Sequence, residues 1–310
     1  MKNILFVASE CVPFVKTGGL ADVVGALPKS LDKDKYDVRV VIPDYTSIPQ
    51  KYRSRFSYLD SFYMDLGELG NFYVGIMTCE FDGIRYYYID NEHFFQGERL
   101  YSDILWDIQK FSFFSKAVLS MLPVIGFRPD IIHCHDWQTA LIPVFLHEMF
   151  QDNPFFRGIR TIMTVHNLKF QGVWDIQTMR RFTGLPGHVF TLGRMEFHRD
   201  ANMLKGGLVY ADRITTVSNT YANEIRMPYY GEGLDGLLNA RSDSLWGIVN
   251  GIDYDLYNPA TDKMIAENYD ETTFEEGKKA CKLAIQRELG MPEDPDVMMI
   301  AMITRLTDQK

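Results

Sequence analysis

Short apolar runs alternate along the chain with longer stretches of helical periodicity. The first run, NILFVAS (3–9), is continuous, as expected for a strand covered on both faces. This β-α-β succession predicts an α/β fold with a doubly wound, Rossmann-like parallel sheet. The predicted strands are 3–9, 37–43, 129–135, 160–165 and 212–217, and the predicted helices are about 20–31, 107–122, 137–150, 201–210 and 219–226.

The stretch 56–90 interrupts that pattern. It holds three runs rich in aromatic and β-branched residues, separated by glycine-containing turns at 67–70 and 82–83. This spacing predicts an antiparallel meander inserted into the parallel sheet. Residues 180–200, rich in glycine, predict an irregular segment.

Towards its end the chain changes organisation. We predict one domain over 1–245 and the start of another over 246–310. The second part contains predicted strands at 245–250 and 296–304 and a charged helix at about 272–289. Two strands and one helix leave sheet edges unpaired and cover too little apolar surface for a stable domain. We therefore expect residues 246–310 to be the incomplete beginning of a second α/β domain.

Composition and charge narrow the possible partners. The chain has 310 residues, of which 46% are hydrophobic, so a disordered chain is excluded. Its 32 basic and 41 acidic residues give a net charge of −9, which argues against nucleic acid and anionic membranes as partners. An anionic ligand must therefore be held by a local cluster of cations and amides.

Targeting signals are not evident in the sequence. The first apolar run is cut short by Ser9 and Glu10, and the longest charge-free stretch, 117–127, is too short to span a bilayer. The four cysteines have no clustered spacing, which indicates reduced thiols. We expect a cytoplasmic protein.

The first candidate site is the loop KTGGL at 16–20, between the first predicted strand and helix. Ligands of open parallel sheets bind beyond the carboxyl ends of the strands. Gly18 and Gly19 allow close approach to the backbone amides at a helix N-terminus, and Lys16 adds a charge. The loop suits a phosphate or a hydroxyl-rich sugar, although it matches neither GxGxxG nor a Walker A loop. A tight turn with a surface lysine is the alternative.

The second candidate is HCHDW, at the end of a predicted strand. His133 and His135 share a face because strand side chains alternate, but no further metal ligand lies nearby at suggestive spacing. Asp136 is either the N-cap of the following helix or, with Trp137, a residue of a sugar-binding cleft.

Two more candidates also follow strands. His166 and Asn167 end the strand 160–165, and three polar clusters at three strand ends of one sheet are expected to converge on one crevice. Arg305 and Lys310 follow the last predicted strand, and read alone they are surface charges.

An Asp-x-Asp pair offers an alternative metal site. Asp253 and Asp255 have the spacing of the metal-binding pair in metal-dependent glycosyltransferases. The preceding Asn250-Gly251 indicates turn chemistry instead. The sequence contains no GxSxG or HExxH motif.

Six motifs together closely resemble those of bacterial glycogen synthases and plant starch synthases. The resemblance runs in order from Met1 to Lys310. The motifs are KTGGLADVVGALP (16–28), HCHDWQTAL (133–141), TVHNLKFQG (164–172), NMLKGGLVYADRITTVS (202–218), GIVNGID (247–253) and ITRLTDQK (303–310).

The resemblance implies the GT-B architecture, with two Rossmann-like domains facing across a cleft. It implies retaining transfer of glucose from ADP-glucose to the 4-hydroxyl of an α-1,4-glucan, with no divalent metal and no other cofactor. The acidic motif of the family's second domain would lie beyond Lys310, so the chain alone is expected to be inactive.

The resemblance also implies roles for individual residues. Arg305 and Lys310 match the cationic pair that contacts the diphosphate, and Lys16 matches a lysine associated with donor binding, beside the amides of the two loop glycines. His166 matches the histidine beside the transferred sugar. The remaining expected contacts are Asp136, Trp137 and Asn167 in the cleft, Asn250 at the domain joint and Phe95 on the acceptor.

Two other functions stay open at this point. One is a different GT-B transferase that uses UDP-glucose. The other is a non-catalytic glucan-binding domain that uses the aromatic surface.

Overall fold

A computed structural model describes residues 1–304 and 306, so the predicted sites at Arg305 and Lys310 lie outside the described residues. The chain divides into two compact units, Met1–Gly251 and Ile252–Lys310.

The first unit is built on a nine-stranded sheet with the order β12-β11-β7-β6-β1-β2-β5-β4-β3, and a small second sheet has the order β8-β10-β9. The strands are β1 (Lys2–Val7), β2 (Tyr36–Pro43), β3 (Ser57–Asp65), β4 (Asn71–Phe81), β5 (Ile84–Asp90), β6 (Ile131–His135), β7 (Arg160–Val165), β8 (Val173–Asp175), β9 (Glu196–Phe197), β10 (Asp200–Asn202), β11 (Arg213–Thr216) and β12 (Leu245–Gly247).

α-Helices alternate with the strands along the chain. The α-helices are α1 (Gly19–Ser30), α2 (Gln50–Arg53), α3 (Glu92–Phe95), α4 (Ile104–Val124), α5 (Leu141–Phe145), α6 (Ile176–Thr183), α7 (Met203–Tyr210), α8 (Asn219–Glu224), α9 (Asp235–Ala240) and, in the second unit, α10 (Phe274–Glu288).

Strand β1 has a central position between two parallel neighbours, β2 and β6. Its residues Leu5, Phe6 and Val7 are at most 2% exposed, as the continuous apolar run predicts. The chain first adds β2 on one side and later β6 and β7 on the other. This reversal places a topological switch point beside β1, where open α/β sheets bind ligands. The predicted α/β class and doubly wound sheet are confirmed.

The meander is also confirmed. Strands β3, β4 and β5 pair antiparallel with each other, and β5 joins the parallel part through β2. Between β4 and β5 the tight turn uses Asp82 and Gly83, both at positive φ.

Strand β12 belongs to the large sheet of the first unit, because Ile214, Thr215 and Thr216 of β11 pair with it in parallel. The unit continues to Gly251, beyond the boundary expected after residue 245. The observed boundary lies later than the expected one because β12 is hydrogen-bonded to β11, in the sheet of the first unit.

The second unit contains helix α10, close to the predicted 272–289, and Gly290 follows it at a positive φ of 67°. The strand predicted at 296–304 is wrong, since none of these residues is in a strand. Ile300 is 86% exposed and Ile303 is 98% exposed. A strand forms only by pairing, and the described residues provide no partner for this run.

Among the residues that the structure describes, no helix combines the length and apolar character needed to cross a bilayer.

Candidate functional site

A buried carboxylate shapes the loop after β1. Glu10 is 3% exposed and accepts hydrogen bonds from the backbone N–H of Thr17, from its hydroxyl (3.0 Å) and from the backbone N–H of Gly18 (3.3 Å). These hydrogen bonds hold the glycine loop against the residues that directly follow β1. Glu10 thereby determines the path of the backbone just before the two glycines.

The loop leaves space around its glycines. An added Cβ would meet nothing within 4 Å at Gly18 or at Gly19. Neither residue adopts a positive φ, so open space rather than backbone strain distinguishes them. The Nζ of Lys16 lies 2.7 Å from Asp22 Oδ1 in an exposed ion pair. The structure therefore presents helix α1 with an open N-terminus and a nearby cation.

Glu10 also contacts the segment before helix α4. The hydroxyl of Tyr101 donates to Glu10 Oε1 at 3.3 Å and lies 2.9 Å from Ser9 Oγ. Burial raises the pKa of Glu10, and the hydrogen bonds from Thr17, Gly18 and Tyr101 oppose that shift. The bonds therefore offset part of the cost of burying the carboxylate.

Asp136 connects the ends of β6 and β7. Its Oδ1 accepts from the backbone N–H of His166 at 2.7 Å and from that of Asn167 at 3.3 Å. Asp136 has a φ of +55°, unusual for a residue other than glycine, and makes no side-chain N-cap. The N-cap alternative is therefore wrong. Burial raises the pKa of this carboxyl group to about 7, against those two backbone hydrogen bonds.

Three histidine rings lie next to one another at the same edge. His133 and His135 share a face, as predicted, with ring centroids 4.3 Å apart. Nδ1 of His135 lies 3.0 Å from Nε2 of His166. Burial lowers the pKa of His133 to about 3, that of His135 well below its usual value and that of His166 to about 4. All three imidazoles are therefore neutral at pH 7.

His166 is half-buried and lies within electrostatic reach of Glu10, whose charge opposes the lowering of its pKa. Burial raises the pKa of Tyr101, and the charges of Glu10 and Asp136 raise it further. Together with the hydrogen bonds, these effects show that the ends of β1, β6 and β7 share one polar cluster, which consists of Glu10, Tyr101, His135, Asp136, His166 and Asn167.

Two expected ligand contacts are instead part of the core. Trp137 is 5% exposed, and its ring lies edge-on to Phe111 with centroids 5.4 Å apart. Phe95 is 2% exposed and packs against Phe114, among other rings. The expectation that these rings face a ligand is corrected here, because a side chain so deeply buried offers almost no surface for a sugar to cover.

The remaining predicted residues lie apart or outside. Asn167 follows His166, and its Oδ1 accepts from the backbone N–H of Lys169 at 3.2 Å. Asn250 is exposed after β12, at the end of the first unit. Asp253 Oδ1 accepts from the backbone N–H of Asp255 at 3.0 Å, which favours the turn interpretation of that pair.

The cluster is suited to binding neutral hydroxyls beside an anion. Neutral imidazoles and a carboxyl group with a pKa near neutrality supply both donors and acceptors, while the amides of helix α1 and Lys16 favour negative charge. Within the described part of the chain, no group of three His, Cys, Asp or Glu side chains is arranged to hold a metal ion.

Sequence reasoning missed Glu10 and Tyr101 as parts of this site. Glu10 follows directly on an apolar strand and precedes the glycine loop, and that position is a usable signal. Tyr101 carries no such signal, because it lies in a loop far from the other residues in sequence.

Comparison with known proteins places this geometry in a family. A family model described as the starch synthase catalytic domain matches residues 3–240. The glycogen synthase of Lachnospira eligens is 59% identical over 310 residues, which are all of this chain and 65% of that protein. The glycogen synthase of Lachnoclostridium phytofermentans is 56% identical over 309 residues and is covered to 64%.

A solved structure agrees with these relatives. The catalytic domain of starch synthase IV from Arabidopsis thaliana, bound to ADP and acarbose, matches with a TM-score of 0.83 at 31% identity. The match covers 93% of this chain and 59% of that one. The chain thus spans somewhat less than two thirds of the length of these relatives, 65% and 64% for the two glycogen synthases. The family model covers most of its residues, and the chain belongs to the starch synthase catalytic domain family.

Proposed function

We propose that a protein carrying this chain is a glycogen or starch synthase. It transfers glucose from ADP-glucose to the non-reducing 4-hydroxyl of an α-1,4-glucan, with retention at the anomeric carbon. The observation that carries the proposal is the meeting of the Glu10-held glycine loop with Asp136 and His166 at one edge of the sheet, in a member of this family. The relative bound to ADP and acarbose supports both substrate classes.

Charge stabilisation at the leaving group follows from the loop. Negative charge grows on the diphosphate as the glycosidic bond breaks, and preorganised cations and amides stabilise it. Lys16 and the amides of Gly18 and Gly19 supply this on the side of the first unit. Arg305 and Lys310 are proposed to be further cations that contact the diphosphate.

The histidine cluster acts on the transferred sugar. A neutral His166 binds a hydroxyl without adding positive charge beside an anomeric centre that itself becomes positive. Asp136 orients His166 and Asn167 through their backbone N–H groups. Trp137 supports this edge from the core, and Asn250 is proposed to meet the donor near the joint.

The domain organisation belongs to the same proposal. We expect a second, nucleotide-side Rossmann-like domain to begin after the first unit. We also expect the protein to be cytoplasmic.

A donor comparison tests the function. A full-length protein that carries this chain should elongate a maltooligosaccharide with ADP-glucose at a kcat/KM well above that with UDP-glucose. A preference for UDP-glucose would favour a different transferase. Glucan binding with no transfer from either donor would favour a non-catalytic binding domain.

A further inference from the structure

Each of the two central histidines has one nitrogen outside their shared hydrogen bond. Nδ1 of His135 and Nε2 of His166 are 3.0 Å apart. Nε2 of His135 is buried and makes no hydrogen bond in the described part of the chain. Nδ1 of His166, within the same described residues, makes no hydrogen bond, and the residue is partly exposed.

Only one proton can lie between the two rings, so two arrangements are possible. Burial keeps both rings neutral, and a neutral imidazole carries a single N–H. If His166 donated, His135 would carry its proton on Nε2, where a buried N–H would have no acceptor. If His135 donates from Nδ1, its Nε2 carries a lone pair that accepts no hydrogen bond. Orphaned buried N–H groups are rarer in proteins than under-satisfied acceptors, so the second arrangement is favoured.

The position of the His135 ring is held independently of that bond. Its backbone N–H donates to Thr139 Oγ1 at 2.7 Å, and the ring stacks on His133 and on Phe6 at centroid distances of 4.3 and 5.8 Å. A ring fixed in this way holds Nδ1 towards His166 without help from a ligand.

We propose that His135 is a positioning residue that sets the tautomer of His166. Nδ1–H of His135 donates to Nε2 of His166, so His166 carries its own proton on Nδ1 and presents an N–H donor to the site. The group that it binds is therefore an acceptor oxygen of a hydroxyl or phosphate. In this state Nδ1 of His166 has no lone pair with which to act as a general base.

The assignment of the tautomer does not depend on the proposed function, whereas the effect of the tautomer on catalysis rests on that function. Two separate measurements therefore test the tautomer and the catalytic effect. The tautomer is read from the ¹⁵N shifts and two-bond ¹H–¹⁵N correlations of the imidazoles at pH 7, in full-length protein labelled with ¹⁵N-histidine. His166→Gln and His135→Asn identify the signals by their loss.

The expected spectrum has a protonated Nδ1 and an unprotonated Nε2 in both rings. A protonated Nε2 on either ring would overturn the assignment. In His135→Phe, which keeps an aromatic ring but removes the donor, we expect the His166 proton to redistribute to Nε2. The kcat of transfer should fall about fivefold to tenfold, the effect of one net hydrogen bond, with KM for the glucan unchanged.

Matched variants separate positioning from packing. His135→Asn carries an amide N–H near the place of Nδ1 and should retain more activity than His135→Phe. His133→Phe disturbs the same stack and removes the 2.6 Å bond to Thr164 Oγ1, so it should lower the Tm without moving the His166 proton. If His135→Phe left the tautomer and kcat as in wild type, the positioning role would be refuted. If the wild-type protein lacked transferase activity, the proposed function would fail while the spectrum still decided the tautomer.

Discussion

Glu10 accepts two hydrogen bonds from Thr17, one from the backbone N–H and one from the side-chain hydroxyl. The residues are seven positions apart, and the bonds join the start of the glycine loop to the end of β1. Since the carboxylate is 3% exposed, these donors take the place of water. The geometry of the loop thus depends on one buried acid.

Replacing that acid by its amide should loosen the loop. In Glu10→Gln the amide oxygen can still accept from the backbone N–H groups of Thr17 and Gly18, but hydrogen bonds to a neutral acceptor are weaker than those to a carboxylate, by about 1 kcal/mol. We expect this loss in the free energy of unfolding, together with lower transferase activity. Urea unfolding and a donor kcat/KM measurement check it. Glu98→Gln makes the same change of charge at an exposed position. This control should match wild type in the free energy of unfolding and in kcat/KM for the donor.

The raised pKa of Asp136 predicts a pH-dependent contribution to stability. Its folded pKa of about 7 exceeds the unfolded value of 3.8, so the folded state binds more protons between these values. The contribution of Asp136 is most favourable below the unfolded pKa and is lost as pH rises towards 7, by about 1.4 kcal/mol per pH unit.

The isosteric Asp136→Asn isolates this effect, because its amide oxygen can still accept from the backbone N–H of His166. The variant should gain stability relative to wild type as pH rises from 4 to 7, in urea unfolding measured at each pH. Parallel curves for the two proteins would contradict the raised pKa. The exposed Asp152→Asn serves as the control and should parallel wild type.

Local patterns predict most of the large sheet, because β1 has a continuous apolar run and β6 and β7 are mostly buried short runs with strand-forming residues. The run at 296–304 has the same appearance, yet a strand depends on a neighbour that the run itself does not encode. Helix α6 was missed although Asp175 caps it and Gly184 follows it at a φ of 69°. Gly184 lies within the segment 180–200, where the glycines predict irregular structure, whereas Asp175 lies before it.

The sequence predicts the part of the candidate site that lies at the carboxyl ends of the strands. Asp136 and His166 were expected to be close because parallel strands end at one edge, and the 2.7 Å bond between them agrees with this reasoning. Burial depends on distant segments and could not be read locally. For that reason the sequence indicates ligand contacts for Trp137 and Phe95 and indicates no role for Glu10.

Lys16 should matter for transfer and little for folding. An exposed ion pair such as that with Asp22 contributes about 0–1 kcal/mol to stability. A unit charge about 4 Å from a diphosphate contributes about 4 kcal/mol at an effective dielectric constant near 20. Lys16→Ala should therefore lower kcat by roughly 100-fold or more in the full-length protein, with simple glucan binding nearly intact. Lys35→Ala removes a comparable exposed ion pair, in which Lys35 lies 2.8 Å from Asp32. This control should leave kcat and glucan binding unchanged.

Substitution by alanine should have opposite effects on stability at two glycines of helix α1. An added Cβ at Gly19 meets nothing within 4 Å, so Gly19→Ala should keep or raise stability, by about 0.4–1 kcal/mol. At Gly25 the same atom would lie 2.7 Å from the backbone oxygen of Val12, so Gly25→Ala should lower the Tm. If the space at Gly19 belongs to the donor, Gly19→Ala should nevertheless lower kcat/KM for ADP-glucose by roughly tenfold or more. A stable Gly19→Ala enzyme with wild-type kinetics would place the donor elsewhere, because no change in folding would then hide an effect on binding.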